Sequence, residues 1–167
     1  EPLDRSRRLL LQAALSSPVW ARMPEAAAAG LAGDGAEVLP SLLDALIPPD
    51  ETPSATQLGI PAKILALAQG IPNYPVMLGE GARWLNQMAG QGHGRPFIQL
   101  KGPEQDAILD KAFSSPAGTL PHVYLHRIRE DAMRLYYQDP RSWRGTGISR
   151  PLQPLGYPGH DRPPLPR

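Results

Sequence analysis

PHVYLHRIREDAMRLYYQ, residues 121–138, is the most regular segment of the chain. Tyr124, Leu125, Ile128, Ala132, Leu135 and Tyr136 recur at three- and four-residue spacing, which is one face of an α-helix. Arg127, Arg129, Glu130 and Arg134 can lie away from that face. Asp139-Pro140 ends the run, because a residue before proline avoids the helical region.

The same period appears upstream, in shorter pieces. Val38, Leu39, Leu42, Leu43, Leu46 and Ile47 trace a helix from Asp34, with Pro40 limiting how early it is regular and Pro48-Pro49 ending it. Thr52-Pro53 has the form of an N-cap and a first-turn proline, opening a single turn to Gly59. Pro61 opens a helix with Ile64, Leu65 and Ala68 inward, stopped by Gly70. Pro72 and Pro75 mark a turn. Met77, Gly81, Trp84, Leu85 and Met88 then form a stripe closed by Gly90, with a loop over residues 90–96. Pro103 starts a helix whose Glu104 and Asp106 suit the positive end of its dipole and whose inner face is Ile108, Leu109, Ala112 and Phe113. No alternating strand pattern or Asn-Gly hairpin occurs. The expected fold is all-α: a small irregular bundle of short, proline-interrupted helices with a long extended C-terminal tail.

The sequence has 167 residues, enough for one domain. It carries 21 Pro and 16 Gly, which disfavours long uninterrupted helices. Lys+Arg exceed Asp+Glu by 17 − 16 = 1, so no basic surplus calls for nucleic acid. With no Cys, disulfides, thiolate catalysis, Fe–S clusters and Cys-held zinc are excluded. No apolar run approaches the roughly 18 residues that span a bilayer.

Three regions follow. Residues 1–33 hold a twin-arginine-like export signal, Ser6-Arg7-Arg8-Leu9-Leu10-Leu11-Gln12, with a short apolar region to Leu15. Its alternative is an amphipathic helix with Leu9, Leu10, Ala13 and Ala14 on one face. Ala26 to Ala29, with Gly30, Gly33 and Gly35, is expected to be a flexible connector. Residues 34–138 are the helical domain. Residues 139–167 contain seven prolines and four glycines and cannot form a core of their own. Wrapping a partner is the expected use of that tail, with Trp143 and Tyr157 as aromatic anchors.

Candidate chemistry is sparse. His122, His126 and Glu130 share a helix face at i, i+4 and i+8 and could meet a metal, although the HExxH form is absent. The competing reading is a polar strip beside the apolar face. Asp44, Asp50 and Glu51 flank the Pro-Pro corner, where capping or solvation accounts for them. Gly79-Glu80-Gly81 and the glycines of residues 90–94 follow no strand, so neither is a nucleotide loop. No nucleophile elbow occurs. Catalytic and cofactor-binding residues are therefore expected to be none. The small interior and the absence of a reactive cluster point to a chain that depends on a larger companion.

Several segments together resemble the gluconate 2-dehydrogenase subunit 3 family. Residues 46–55, LIPPDETPSA, with Gly59-Ile60, resemble its IPxDxTPGA…G segment, Ser54 standing where Gly is usual. Residues 97–109 resemble its next helix entry, Tyr136-Tyr137-Gln138-Asp139-Pro140 its GYYSDP, and Gly156-Tyr157-Pro158-Gly159 its GYPG. The resemblance implies a small non-catalytic subunit of a membrane-associated dehydrogenase, with no cofactor of its own. The implied partner is a large flavoprotein of the glucose–methanol–choline type. It holds FAD and oxidises a sugar, sugar acid, polyol or glycoside. A cytochrome c subunit with haem often takes the electrons. The small chain would stabilise that flavoprotein and carry it through the twin-arginine machinery to the periplasm on Arg7 and Arg8. Membrane association would come through the complex or an uncleaved signal. Expected contacts are Pro48, Pro49, Asp50, Thr52 and Pro53 at the corner and Tyr136 and Tyr137 at the helix end. Trp143, Tyr157 and Pro158 in the tail complete them. An independent metal enzyme using His122, His126 and Glu130, and a periplasmic ligand-binding module, are the alternatives.

Overall fold

The computed structural model describes residues 25–144 and 146–148, the first eight as backbone alone. Arg7, Arg8, Tyr157 and Pro158 lie outside the described residues.

Among the described residues there are α-helices and no strand, in agreement with the all-α expectation. The helices are α1 (Glu25–Leu46), α2 (Ile60–Gln69), α3 (Tyr74–His93), α4 (Pro103–Phe113) and α5 (Leu120–Tyr136). Short 3₁₀ turns occupy Phe97–Gln99 and Pro140–Trp143.

Proline placement explains how so interrupted a sequence builds a core. Pro61, Pro75, Pro103 and Pro121 each stand in the first turn of a helix, where the missing N–H has no intrahelical acceptor anyway. The exception is Pro40, inside α1. It does not delay the start of the helix, contrary to expectation. An interior proline costs about 3 kcal/mol. Leu39, Leu42 and Leu43 around it are fully buried, at about 1.5–3 kcal/mol each, which outweighs the break.

α1 and α3 make the most extensive helix–helix contact, α5 packs on α3 and α4, and α2 fills the space between α1 and α5. One continuous interior runs from Val38 to Tyr136 through all five helices. Ile60 and Ile64 of α2, Leu78 and Leu85 of α3 and Leu125 and Ile128 of α5 are essentially inaccessible. The helical domain therefore has its own core, which corrects the expectation of an insufficient interior. The short helices each bring only part of a face, and the faces join.

Three further expectations change. The connector around Ala26–Ala29 is the first part of α1, consistent with the high helix propensity of alanine. Gly35 there serves close approach: a Cβ on it would lie 2.8 Å from Leu78 Cβ of α3. The loop expected over residues 90–96 is helical to His93, and Gly94, left-handed, closes it. On α3 the buried line is Tyr74, Leu78, Ala82, Leu85 and Ala89, while Met77, Trp84 and Met88 sit at its half-buried edge.

α5 is seated by two contacts. A Cβ at Gly81 of α3 would collide with the Tyr124 ring, so the ring lies directly on bare backbone. Tyr124 is completely buried, and its Oη has no partner among the described residues. About two turns along, the buried Asp131 gathers three donors. Tyr74 Oη donates to Oδ2 at 2.6 Å, Arg127 Nε to Oδ2 at 2.6 Å and Arg134 Nη2 to Oδ1 at 3.1 Å. The Arg127 guanidinium also covers the Tyr74 ring, 5.0 Å from its centroid. Burial pushes the Asp131 carboxyl up, but the hydrogen bonds from Tyr74, Arg127 and Arg134 outweigh it and hold the group below its usual value.

Gly81→Ala is expected to destabilise the fold by about 1–3 kcal/mol, because the Tyr124 ring must move. Tyr124→Phe, which removes a hydroxyl with no partner among the described residues, is expected to be neutral or stabilising when both variants are unfolded in urea. Equal losses from both would contradict this packing. Asp131→Asn is expected to cost about 1–3 kcal/mol at neutral pH. Since the folded carboxyl sits below its unfolded value, its contribution is present above about pH 4 and fades as pH falls. The gap between wild type and Asp131→Asn should therefore narrow in acid; a gap independent of pH would refute the assignment.

Candidate functional site

The chain leaves α1 at the Pro48-Pro49 corner, and the corner is held by its own side chains. Asp50 Oδ1 accepts the Thr52 N–H and the Thr52 hydroxyl, each at 2.7 Å. Those two bonds lower the Asp50 carboxyl and keep it ionised, the backbone one more strongly. Thr52 is thus a partner of Asp50 rather than the expected N-cap, and residues 55–59 form turns rather than a helix. Asp44 of α1 reaches forward to Thr56, accepting its N–H at 2.9 Å and its hydroxyl at 2.6 Å. Ala55 N–H returns to the Ile47 carbonyl at 3.2 Å, closing the loop. Asp44 and Asp50 are therefore both committed to turn geometry.

α5 ends against this corner. Tyr136 is buried, and its Oη lies 2.7 Å from Thr52 Oγ1 and 2.8 Å from the Pro53 carbonyl oxygen. Its one proton thus ties the two segments, 83 residues apart in sequence, together. Tyr137, the next residue, is 53% exposed and meets the Tyr136 ring edge-on at 5.3 Å. Beyond it Asp139 accepts the Arg141 N–H at 3.0 Å and Arg141 Nη2 at 2.7 Å, starting the Pro140–Trp143 turn. The Arg141 side chain and then its N–H hold the Asp139 carboxyl down at about 2. Trp143 Nε1 donates to the Tyr137 carbonyl at 2.8 Å, which fixes the turn against the helix end.

Between these parts lies an open groove of about 390 Å³. Pro48, Asp50, Glu51 and Thr52 line it from the corner, Met133, Tyr136 and Tyr137 from the end of α5, Ser142, Arg144 and Thr146 from the segment after it, and Leu46 and Ile47 from the end of α1. Five residues singled out from sequence — Pro48, Asp50, Thr52, Tyr136 and Tyr137 — thus meet at one surface feature. Pro53 touches it through its carbonyl, whereas Pro49 is exposed beside it and Trp143 braces it from behind. Sequence reasoning missed Met133, Ser142, Arg144 and Thr146. Met133 was recoverable, being four residues before Tyr137 on the same helix face.

The histidine pair lies elsewhere. His122 and His126 stack at 4.1 Å, with Phe113 edge-on to His126 at 5.4 Å and Arg129 over the Phe113 ring at 5.2 Å. Glu130 is exposed. Among the described residues no group of three or more His, Asp or Glu side chains gathers in a metal-holding arrangement. Both histidines are half-buried on α5.

Among the described residues no helix is long and apolar enough to cross a membrane. The family model for gluconate 2-dehydrogenase subunit 3 matches residues 34–159, three quarters of the sequence and all of the groove. No curated protein and no solved structure gives a match.

Tyr136→Phe is expected to cost about 1 kcal/mol, the net value of an ordinary hydrogen bond, and to loosen the corner before the core. Hydrogen exchange should quicken at Ala55 and Thr56 while Leu125 and Ile128 keep their protection. Uniform loosening, or none, would contradict the tie.

Proposed function

Because the chain belongs to the gluconate 2-dehydrogenase subunit 3 family, we propose that it is the non-catalytic small subunit of an FAD-dependent dehydrogenase complex. The family's description names a subunit of a multi-subunit enzyme that acts on gluconate. The large partner in this proposal is a glucose–methanol–choline type flavoprotein oxidising a CH–OH group of a sugar, sugar acid or glycoside. This chain stabilises that flavoprotein and escorts it, already folded, through twin-arginine export on Arg7 and Arg8 to the periplasm. A cytochrome c subunit receives the electrons.

The observation that carries the proposal is the groove. Residues from both ends of the helical domain, 48–52 and 133–146, converge on one exposed surface. Its aromatic and thioether content suits protein contact: Tyr137 is 53% and Met133 37% exposed. Of the groove's carboxylates, Asp50 is bound to Thr52 and Glu51 is exposed to solvent. The chain's part is then to hold a partner, with the oxidation carried out in the other polypeptide.

Coexpression tests this. With the full chain, the large subunit is expected in the periplasm with FAD bound. Without it, or with Arg7→Lys and Arg8→Lys together, the large subunit is expected to stay in the cytoplasm. Tyr137→Ala is expected to leave export of the free small chain intact and to lower the yield of complex. A large subunit that reaches the periplasm, loaded and active, without this chain would end the proposal.

A further inference from the structure

The groove has the chemistry of a polyproline-binding surface. Such sites set flat aromatic and proline rings against a left-handed extended helix and place carboxylates where a flanking arginine falls. Here Tyr137 and Pro48 supply the rings, Met133 an adaptable apolar side, and Asp50 and Glu51 exposed carboxylates at one wall. Asp50 and Glu51 meet no cation within ion-pair distance among the described residues.

The chain carries a matching segment close by. Arg150-Pro151-Leu152-Gln153-Pro154 places two prolines three residues apart, hence on one edge of a polyproline helix, with an arginine immediately before them. Arg144 and Thr146 are part of the groove wall, and the described chain ends at Ile148, three residues before Pro151. Three extended residues cover about 9 Å, so the segment begins within reach of the wall it would face. So short a tether gives an effective concentration of the order of 1 mM, enough to half-fill a site with a dissociation constant of about 1 mM. A second proline pair, Pro163 and Pro166, is tethered through a further twelve residues and competes at lower effective concentration.

We propose that residues 150–154 of this chain dock in the groove as a polyproline helix. Pro151 and Pro154 lie on Tyr137 and Pro48, and Arg150 faces Asp50 and Glu51. The docking belongs to the free chain and does not depend on the identity of any partner.

The chain has no native Cys, so Gln153→Cys gives a single attachment point for a spin label on the full-length protein. In an isotope-labelled sample, amide signals of Thr52, Met133 and Tyr137 are expected to lose intensity. Arg83, which pairs with Asp34 near the middle of α1, is expected to keep its own. Adding Pro151→Ala and Pro154→Ala should restore the groove signals, with the rest of the spectrum unchanged as the sign of an intact fold. Three results would overturn the proposal. One is loss spread evenly over the surface. Another is loss that survives the double alanine variant. The third is loss equally strong when spin label and isotope sit on separate molecules, which would assign the groove to a second copy.

Discussion

The ring of Tyr124 lies on the bare backbone of Gly81, and that contact sets how close α5 can come to α3. Everything beyond it on α5 depends on that distance. Asp131 can accept from Tyr74 at the start of α3 only if the helix lies this near, and Tyr136 can reach the Pro53 carbonyl only if Asp131 has fixed the helix about its axis. The three contacts fall at positions 124, 131 and 136 of one helix. They join the core, a buried charge and a surface corner into one mechanical unit. A buried carboxylate is costly unless every lone pair is used. Here two arginines and a tyrosine hydroxyl donate to both of its oxygens, and the arginines keep their heads partly in water.

The corner shows why its sequence is so particular. Pro48-Pro49 stops α1, Asp50 and Thr52 fold the chain back, Ser54 is buried, and Asp44 holds Thr56. Asp44, Asp50, Thr52, Ser54 and Thr56 all meet partners within the chain, which stiffens the corner before anything binds to it. Rigid surfaces lose less entropy on association. The exposed Tyr137 and Met133 beside it have two very different characters, one stiff and aromatic, the other adaptable, which is a common composition for contact surfaces.

Much of this architecture is legible from residue spacing. The inner face of α5, the start of α4 at Pro103 and the stop of α2 at Gly70 follow from period and punctuation. Other parts required tertiary knowledge. Proline content suggested a chain too broken for a real interior, whereas four of the prolines occupy first turns and cost little. The glycines near residue 35 read as hinge material, yet Gly35 is there because α3 is close. Asp131 went unnoticed among the charges of α5, although it sits three residues after Ile128 and seven after Tyr124, on the buried line. Its flanking arginines at i−4 and i+3 were the available signal. The groove itself could not be read from period at all, because it joins segments more than eighty residues apart. The short segments that resemble one family, residues 46–55 and 136–140, contain five of its lining residues singled out from sequence.

Purification of the full chain from cells that also make its large subunit tests the account at its root. The account predicts a stable heteromer with the flavin absorbance band eluting in fixed proportion to this chain, and with that band reduced by Tyr137→Ala while the small chain still folds. A chain that elutes alone and turns over a substrate without any flavoprotein would contradict it.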